Sequence, residues 1–358
     1  MEFSFVGHDA NERFEWFAKG LRSSFEARRH EWSEDPDQAS LVVSFFPRER
    51  PRPFRRRSQA VFVVGVCEME TDDMVIEGYP VLVRSLSNML IALGDADGQA
   101  PEAHFLTPER GHYHLAGNGD PSAYFDGVYQ RLEPLATSTL VIENVFTPDL
   151  PESLWAGNEQ TRSIGRAGRR LDEMDLLPAP FPLEQILPEK DRRHLKRIFG
   201  MGGLSYGNLS ARHDDETFWM SASGVDKSKL EDIGRDILLV KDYDREQGAM
   251  IISVPPEVTP RRVSVDAIEH WMIYRTHPEV GAILHIHAWM DRVPSTEFNF
   301  PCGTYELGEA VAEIVDRAEN PAHCVVGLKN HGLTITGESL DEIFDRIEGK
   351  ILKVVPMS

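Results

Sequence analysis

Two apolar periods alternate through the first 146 residues. The runs SLVVSFF (40–46), AVFVVGV (60–66), AHFL (103–106) and STLVIENVF (138–146) are rich in β-branched and aromatic residues and read as strands. Between them, NERFEWFAKGLRSSFEARR, YPVLVRSLSNMLIALG and SAYFDGVYQRLEPLA space their apolar positions for amphipathic helices. Strands alternating with helices predict an α/β or α+β layered domain over 1–146. The pattern then stops. Residues 147–180 carry Pro148, Pro151, Pro178 and Pro180 around the basic stretch RSIGRAGRR, which predicts a linker or wrapping segment.

A second domain is expected over 181–358. It opens on a helix, LEQILPEKDRRHLKRIFGMG, followed by the glycine-rich GGLSYGNLSAR (202–212) and the strand TFWMSASG (217–224). DILLVKDYD and AMIISVPP read as further strands, and Ser264 is placed as the N-cap of the helix VDAIEHWMIYR, which ends before Pro278. A strand GAILHIHAW, a helix YELGEAVAEIVDRA, a strand HCVVGLK, an Asn-His-Gly corner and a final helix ESLDEIFDRIEGKILK complete the order.

The candidate chemistry lies in that last stretch. Alternation along a strand puts His285 and His287 on one face, and the corner at His331 brings a third imidazole on a loop. Three neutral imidazoles with an open position are what a catalytic divalent metal requires. An HxH pair alone is equally compatible with two strand histidines facing solvent, and the pair His112 and His114 in GHYHLAG has neither a third ligand nor an acid beside it in sequence. No GxGxxG or GxxxxGK[ST] pattern supports nucleotide binding.

Composition narrows the partners. With 58 acidic against 38 basic residues the net charge is −20, which argues against non-specific nucleic-acid or anionic-membrane binding. The arginine-rich loop PRERPRPFRRR (47–57) reads as a solvated surface. Cys67, Cys302 and Cys324 are odd in number and widely spaced, as in a reducing compartment. The start lacks a basic region and a long apolar core, and no apolar run reaches membrane-spanning length, so a cytoplasmic protein is expected.

The second half resembles the class II aldolase/adducin family through motifs in a fixed order: GNLSAR (207–212), SASG (221–224), SVDAIEH (264–270), HPEVGAILHIHA (277–288), GTYEL (303–307) and NHGLTITG (330–337). The resemblance implies a three-layer α/β/α domain around a mainly antiparallel sheet, commonly assembled as a homo-oligomer, often a cyclic tetramer. It implies that His285, His287 and His331 hold Zn2+, with Mn2+, Co2+ or Fe2+ as alternatives. It also implies that Gly207, Asn208, Ser221, Ser223, Gly224 and Ser264 bind a phosphate or other substrate oxyanion. Asp266 falls where the family carries a catalytic Glu, and Glu269, one helical turn on, is the alternative base. Val265 replaces a phosphate-binding serine, and the segment 289–302 is shorter than the corresponding aldolase loop.

The function implied is a metal-dependent carbon–carbon lyase, acting by retro-aldol cleavage or by a related decarboxylation or dehydration of a small hydroxy-carbonyl compound. Epimerisation of a ketose phosphate is an alternative within the enzyme class. An adducin-like binding or scaffold module is the alternative outside it, and that reading expects metal ligands to be lost.

Overall fold

The computed structural model describes residues 1–56, 61–94, 100–108, 111–117, 119–178, 183–193 and 206–358. The chain forms two compact units, one from 1–138, 182–194 and 357–358, the other from 139–181 and 195–356.

The first unit holds β1 (Glu2–Val6), α1 (Glu12–Ala27), β2 (Glu31–Trp32), β3 (Leu41–Phe45), β4 (Phe62–Glu68), α2 (Met74–Ser85), β5 (Met89–Leu93), β6 (Ala103–Leu106), β7 (His112–Leu115) and α3 (Pro121–Thr137). The sheet order is β2-β1-β3-β4-β5-β6-β7. Its first five strands run parallel, and the β5–β6–β7 meander closes one edge antiparallel. Strands β3 and β5 are buried throughout, as expected where helices cover both faces of parallel strands.

The second unit holds β8 (Glu143–Thr147), α4 (Glu159–Glu173), β9 (Asn208–Arg212), β10 (Phe218–Ser221), β11 (Ile237–Asp244), β12 (Ala249–Ser253), α5 (Ala267–Thr276), β13 (Ala282–Ile286), α6 (Tyr305–Asp316), β14 (Val325–Leu328), β15 (Gly332–Gly337) and α7 (Leu340–Ile347). Its sheet runs β14-β15-β13-β9-β10-β11-β12-β8, antiparallel except for the final β12–β8 pair. Helices α5 and α6 pack together on one side, α4 and α7 on the other, and Trp219, Leu284, Ile335 and Phe344 are buried in the shared core. The sheet is therefore mixed within a three-layer α/β/α arrangement, close to the expectation.

The boundaries differ from the sequence reading in three places. The strand predicted at 138–146 is β8, and it pairs with β12 of the second unit, since its register partners lie about 100 residues downstream. The described part of the predicted linker, 147–178, belongs to the second unit. Asn158 caps α4 in a reciprocal capping box with Thr161, and Ile164, Ala167 and Leu171 are fully buried in the second core. Gly165 and Gly168 permit this: a Cβ at Gly168 would lie 1.9 Å from the Lys227 carbonyl oxygen. Finally, residues 182–194 belong with the first unit, where Asp191 accepts from Arg84 at 2.7 Å. The helix predicted from 183 is interrupted near Pro188, and its continuation at 194–202 lies outside the described residues, as do 203–205 of the glycine-rich stretch.

Candidate functional site

Strand β13 lies between β9 and β15, with His285 opposite Asn208 on one side and Thr334 on the other. These three side chains form a polar stripe across the middle of the sheet. Helix α5 covers it. Asn208 Nδ2 donates to Asp266 Oδ2 at 2.7 Å, and the Thr334 hydroxyl donates to Glu269 Oε1 at 2.6 Å. One position further along, Ser210 Oγ meets His270 Nδ1 at 2.7 Å and the Tyr274 hydroxyl at 2.8 Å. Every one of these groups is buried, so the helix and the sheet are joined here by a polar network that fixes one register.

The three predicted histidines converge. His285, His287 and His331 each offer a nitrogen within 4.8 Å of the other two, and His287 Nε2 lies 3.2 Å from His331 Nε2. The nitrogens of a tetrahedral zinc site with bonds of about 2.0–2.1 Å are about 3.3 Å apart. His285 Nδ1 is 3.0 Å from the Leu333 carbonyl oxygen. A carbonyl only accepts, so Nδ1 carries the proton and Nε2 the lone pair, the arrangement of a metal-ligating imidazole. His285 Nε2 and His287 Nδ1 are buried with no hydrogen-bond partner among the described residues. The donor set and the orphaned His285 Nε2 fit a divalent transition metal.

Local backbone explains the convergence. Asn330 adopts the left-handed conformation (φ 58°), which turns the chain so that His331 faces back toward β13. Gly332 must be small because a Cβ there would lie 2.2 Å from the Ile286 carbonyl oxygen. Gly207 combines φ 75° with a Cβ position 2.3 Å from the His285 carbonyl oxygen, so only glycine brings the Gly207–Asn208 turn so close to β13.

Electrostatics separates the groups. Burial lowers His285 to about 4 and His331 to about 3, and it holds His287 well below the ordinary imidazole range. All three are neutral at pH 7, as ligation requires. Burial raises the Asp266 carboxyl, with the His331 ring and the Asn208 amide opposing. Burial and the neighbouring Asp266 raise Glu269 to about 8.

The predicted oxyanion residues also come together. The Leu209 amide donates to Ser221 Oγ at 3.2 Å, and the Ser264 amide donates to the Ser221 carbonyl at 3.2 Å. Ser223 and Gly224 follow directly, with Gly224 at φ 70°. Ser264 does not cap the helix: α5 begins at Ala267, Asp266 occupies the cap position, and residues 264–266 form the preceding turn. Glu297, in the shortened loop, is exposed, and the Tyr305 ring lies beside Tyr243 rather than among the histidines.

Sequence reasoning passed over two residues near the centre. Lys227 is 3% exposed, and burial lowers its ammonium to about 8 while the charge of Asp266 holds it up. Cys302 Sγ lies 3.4 Å from His331 Nε2. Nothing local distinguishes Lys227 in DKSKLED from a surface lysine.

Residues 193–291 match the family model described as class II aldolase and adducin N-terminal domain. The second unit carries a class II aldolase/adducin domain. Most of the site lies inside the matched segment of this aldolase-type domain, and His331 lies beyond it. Methylthioribulose-1-phosphate dehydratase from Klebsiella pneumoniae is 26% identical over 182 residues, covering 42% of this chain and 83% of that protein. The enzyme of the same name from Citrobacter koseri is 27% identical over 179 residues, covering 42% and 82%. Among solved structures, YgbL of Klebsiella pneumoniae, titled a putative aldolase/epimerase/decarboxylase, aligns at 17% identity and a TM-score of 0.35 over 53% of this chain and 84% of its own. L-fuculose 1-phosphate aldolase from Glaciozyma antarctica aligns at 15% identity and a TM-score of 0.33, covering 52% and 66%. Among the described residues no helix is long and apolar enough to cross a membrane.

Proposed function

We propose that the aldolase-type domain is a divalent-metal-dependent lyase that removes water from a small phosphorylated hydroxy-ketone. One observation carries this reading: His285 and His331, both buried, and the half-buried His287 converge as neutral imidazoles beside two buried carboxyl groups. His285, His287 and His331 would hold the ion, zinc being the first expectation. The bound ion supplies Lewis-acid stabilisation of the charge that develops on a substrate carbonyl oxygen.

The remaining chemistry belongs to this chain's residues. Asp266 takes the proton from the carbon beside the carbonyl. Its raised affinity for protons makes it the stronger base, and Asn208 holds its carboxylate in position. The same proton then goes to the departing hydroxyl, so one C–H and one C–O bond break, a C=C bond forms, and water leaves. Glu269 is the alternative base, and its partner Thr334 ties it to β15. The Gly207–Asn208 turn, Ser221, Ser223, Gly224 and Ser264 form the oxyanion end. The Ser221 oxygen accepts from a backbone amide, which leaves its O–H to donate.

Dehydration is preferred over retro-aldol cleavage because the matched relatives are named as dehydratases. The adducin-like reading has no need of three convergent imidazoles. A homo-oligomer is proposed with the enzyme, testable by sedimentation. The decisive assay incubates the metal-loaded protein with five-carbon ketose 1-phosphates, including the 5-methylthio derivative, and follows products by mass spectrometry. A product lighter by one water supports the reading. Two carbonyl fragments would replace it with retro-aldol cleavage, and absence of turnover with metal retained would return the domain to a binding role.

A further inference from the structure

The first unit holds another histidine cluster, on a hairpin that the lyase reading does not use. β6 and β7 pair with His104 directly opposite His114, and His112 lies two residues along the same strand. Side chains alternate across a sheet, so Glu102, His104, His112 and His114 share one face. Phe105 and Tyr113 stack on the other with centroids 5.4 Å apart. Glu102 sits between two imidazoles: Oε2 lies 3.6 Å from His104 Nε2, and Oε1 lies 3.6 Å from His114 Nε2. On the far edge of the His104 ring, Nδ1 is 3.3 Å from His112 Nε2, with the two rings stacked at 5.5 Å.

We propose that this face is a second divalent transition-metal site, with Glu102, His104 and His114 as ligands and His112 as the residue that orients His104. Two imidazoles and a carboxylate are a donor set for zinc or copper rather than for magnesium or calcium. Neighbouring donors around a tetrahedral ion stand about 3.3 Å apart, so rotation of the exposed Glu102 and His114 side chains has to draw the three donors together. A ligating histidine needs its other nitrogen protonated and held, and His112 Nε2 stands where it accepts the His104 Nδ1 proton. Burial lowers both His104 and His112, which favours their neutral, ligating forms at pH 7. His114 is 60% and Glu102 43% exposed, so an ion enters directly from solvent and water completes its coordination. This openness makes the hairpin the weaker of the two sites.

The test is equilibrium dialysis of chelator-stripped full-length protein against buffered Zn2+, and separately Cu2+, with bound metal counted per chain. The background is His285→Ala/His287→Ala, which leaves one histidine of the triad, so the result does not depend on metal binding by the aldolase-type domain. We expect one ion per chain in that background. Adding Glu102→Gln or His114→Gln, both at exposed positions where the fold tolerates change, lowers occupancy at fixed free metal by at least about tenfold. His112→Gln weakens the affinity and leaves the saturating stoichiometry at one. A background protein that takes up no metal, or uptake unchanged by both Glu102→Gln and His114→Gln, would overturn the site. Unchanged affinity in His112→Gln would overturn the orienting role.

Discussion

The molecule presents an HxH pair twice, and the two pairs differ in what the fold builds around them. His285 and His287 lie at the end of β13, an interior strand with neighbours on both sides and helices over both faces. His112 and His114 lie on β7, the last strand of its sheet. Interior placement brings a third imidazole from the β14–β15 corner, excludes water and adds two buried carboxyls. Edge placement leaves the rings half open to solvent, with one carboxylate between two of them. The HxH spacing aims two rings at one side; burial and the third partner come from strand order. That is why the first pair is read as a catalytic centre and the second only as a binding site.

The largest effect expected concerns the carboxyl that the edge cluster lacks. Asp266→Asn should lower kcat about 10²–10⁴-fold while metal content stays at the wild-type level, measured by steady-state kinetics beside elemental analysis. Glu269→Gln should cost less, since the Thr334 hydroxyl holds that carboxyl against β15. A Glu269 variant as inactive as Asp266→Asn would reverse their roles.

Next in size is the packing that holds the catalytic side together. Gly168→Ala places a methyl 1.9 Å from the Lys227 carbonyl oxygen. Overpacking of this kind should destabilise the protein by about 1–3 kcal/mol in urea unfolding. A neutral result would mean that α4 does not pack against the 227–230 turn.

The smallest effect is in pH. Burial lowers His285 to about 4 and both His270 and His331 to about 3. Between these values and the ordinary 6.5, the unfolded chain binds protons that the native chain refuses. Stability of the metal-stripped protein should therefore fall as pH drops from about 6.5 toward 4. Glu269 acts in the opposite sense: its folded value of about 8 gives stability that is complete below about 4.5 and lost as pH rises through 8. Four lowered histidines, His287 included, against two raised carboxyls, Asp266 and Glu269, leave a net loss on acidification. His270→Gln should flatten the profile, measured by urea unfolding across that range.

Much of the second unit was legible because its signals are local. Strand alternation placed His285 and His287 on one face, the Asn-His-Gly corner after an apolar run placed His331 on a loop, and the family motifs carried Asp266 and the oxyanion residues. What was not legible depended on distant chain. β8 pairs with residues 249–253, so nothing near 143–147 says to which sheet it belongs. Lys227 is buried where residues far from it in sequence, Gly168 of α4 and Asp266 among them, come close. The α4 segment did carry a signal: Ile164, Ala167, Gly168 and Leu171 form a helical apolar stripe, and Asn158 precedes it as a cap. Its outward arginines and flanking prolines concealed that stripe.

The central claim, that the buried triad of the second unit holds a catalytic metal, is tested most directly by elemental analysis of the purified full-length protein beside its His287→Ala variant, normalised per chain. The account predicts near-stoichiometric zinc or another divalent transition metal in the wild type, with at least one equivalent lost in the variant. A wild-type protein that carries no metal and takes up no added zinc at the triad would contradict it.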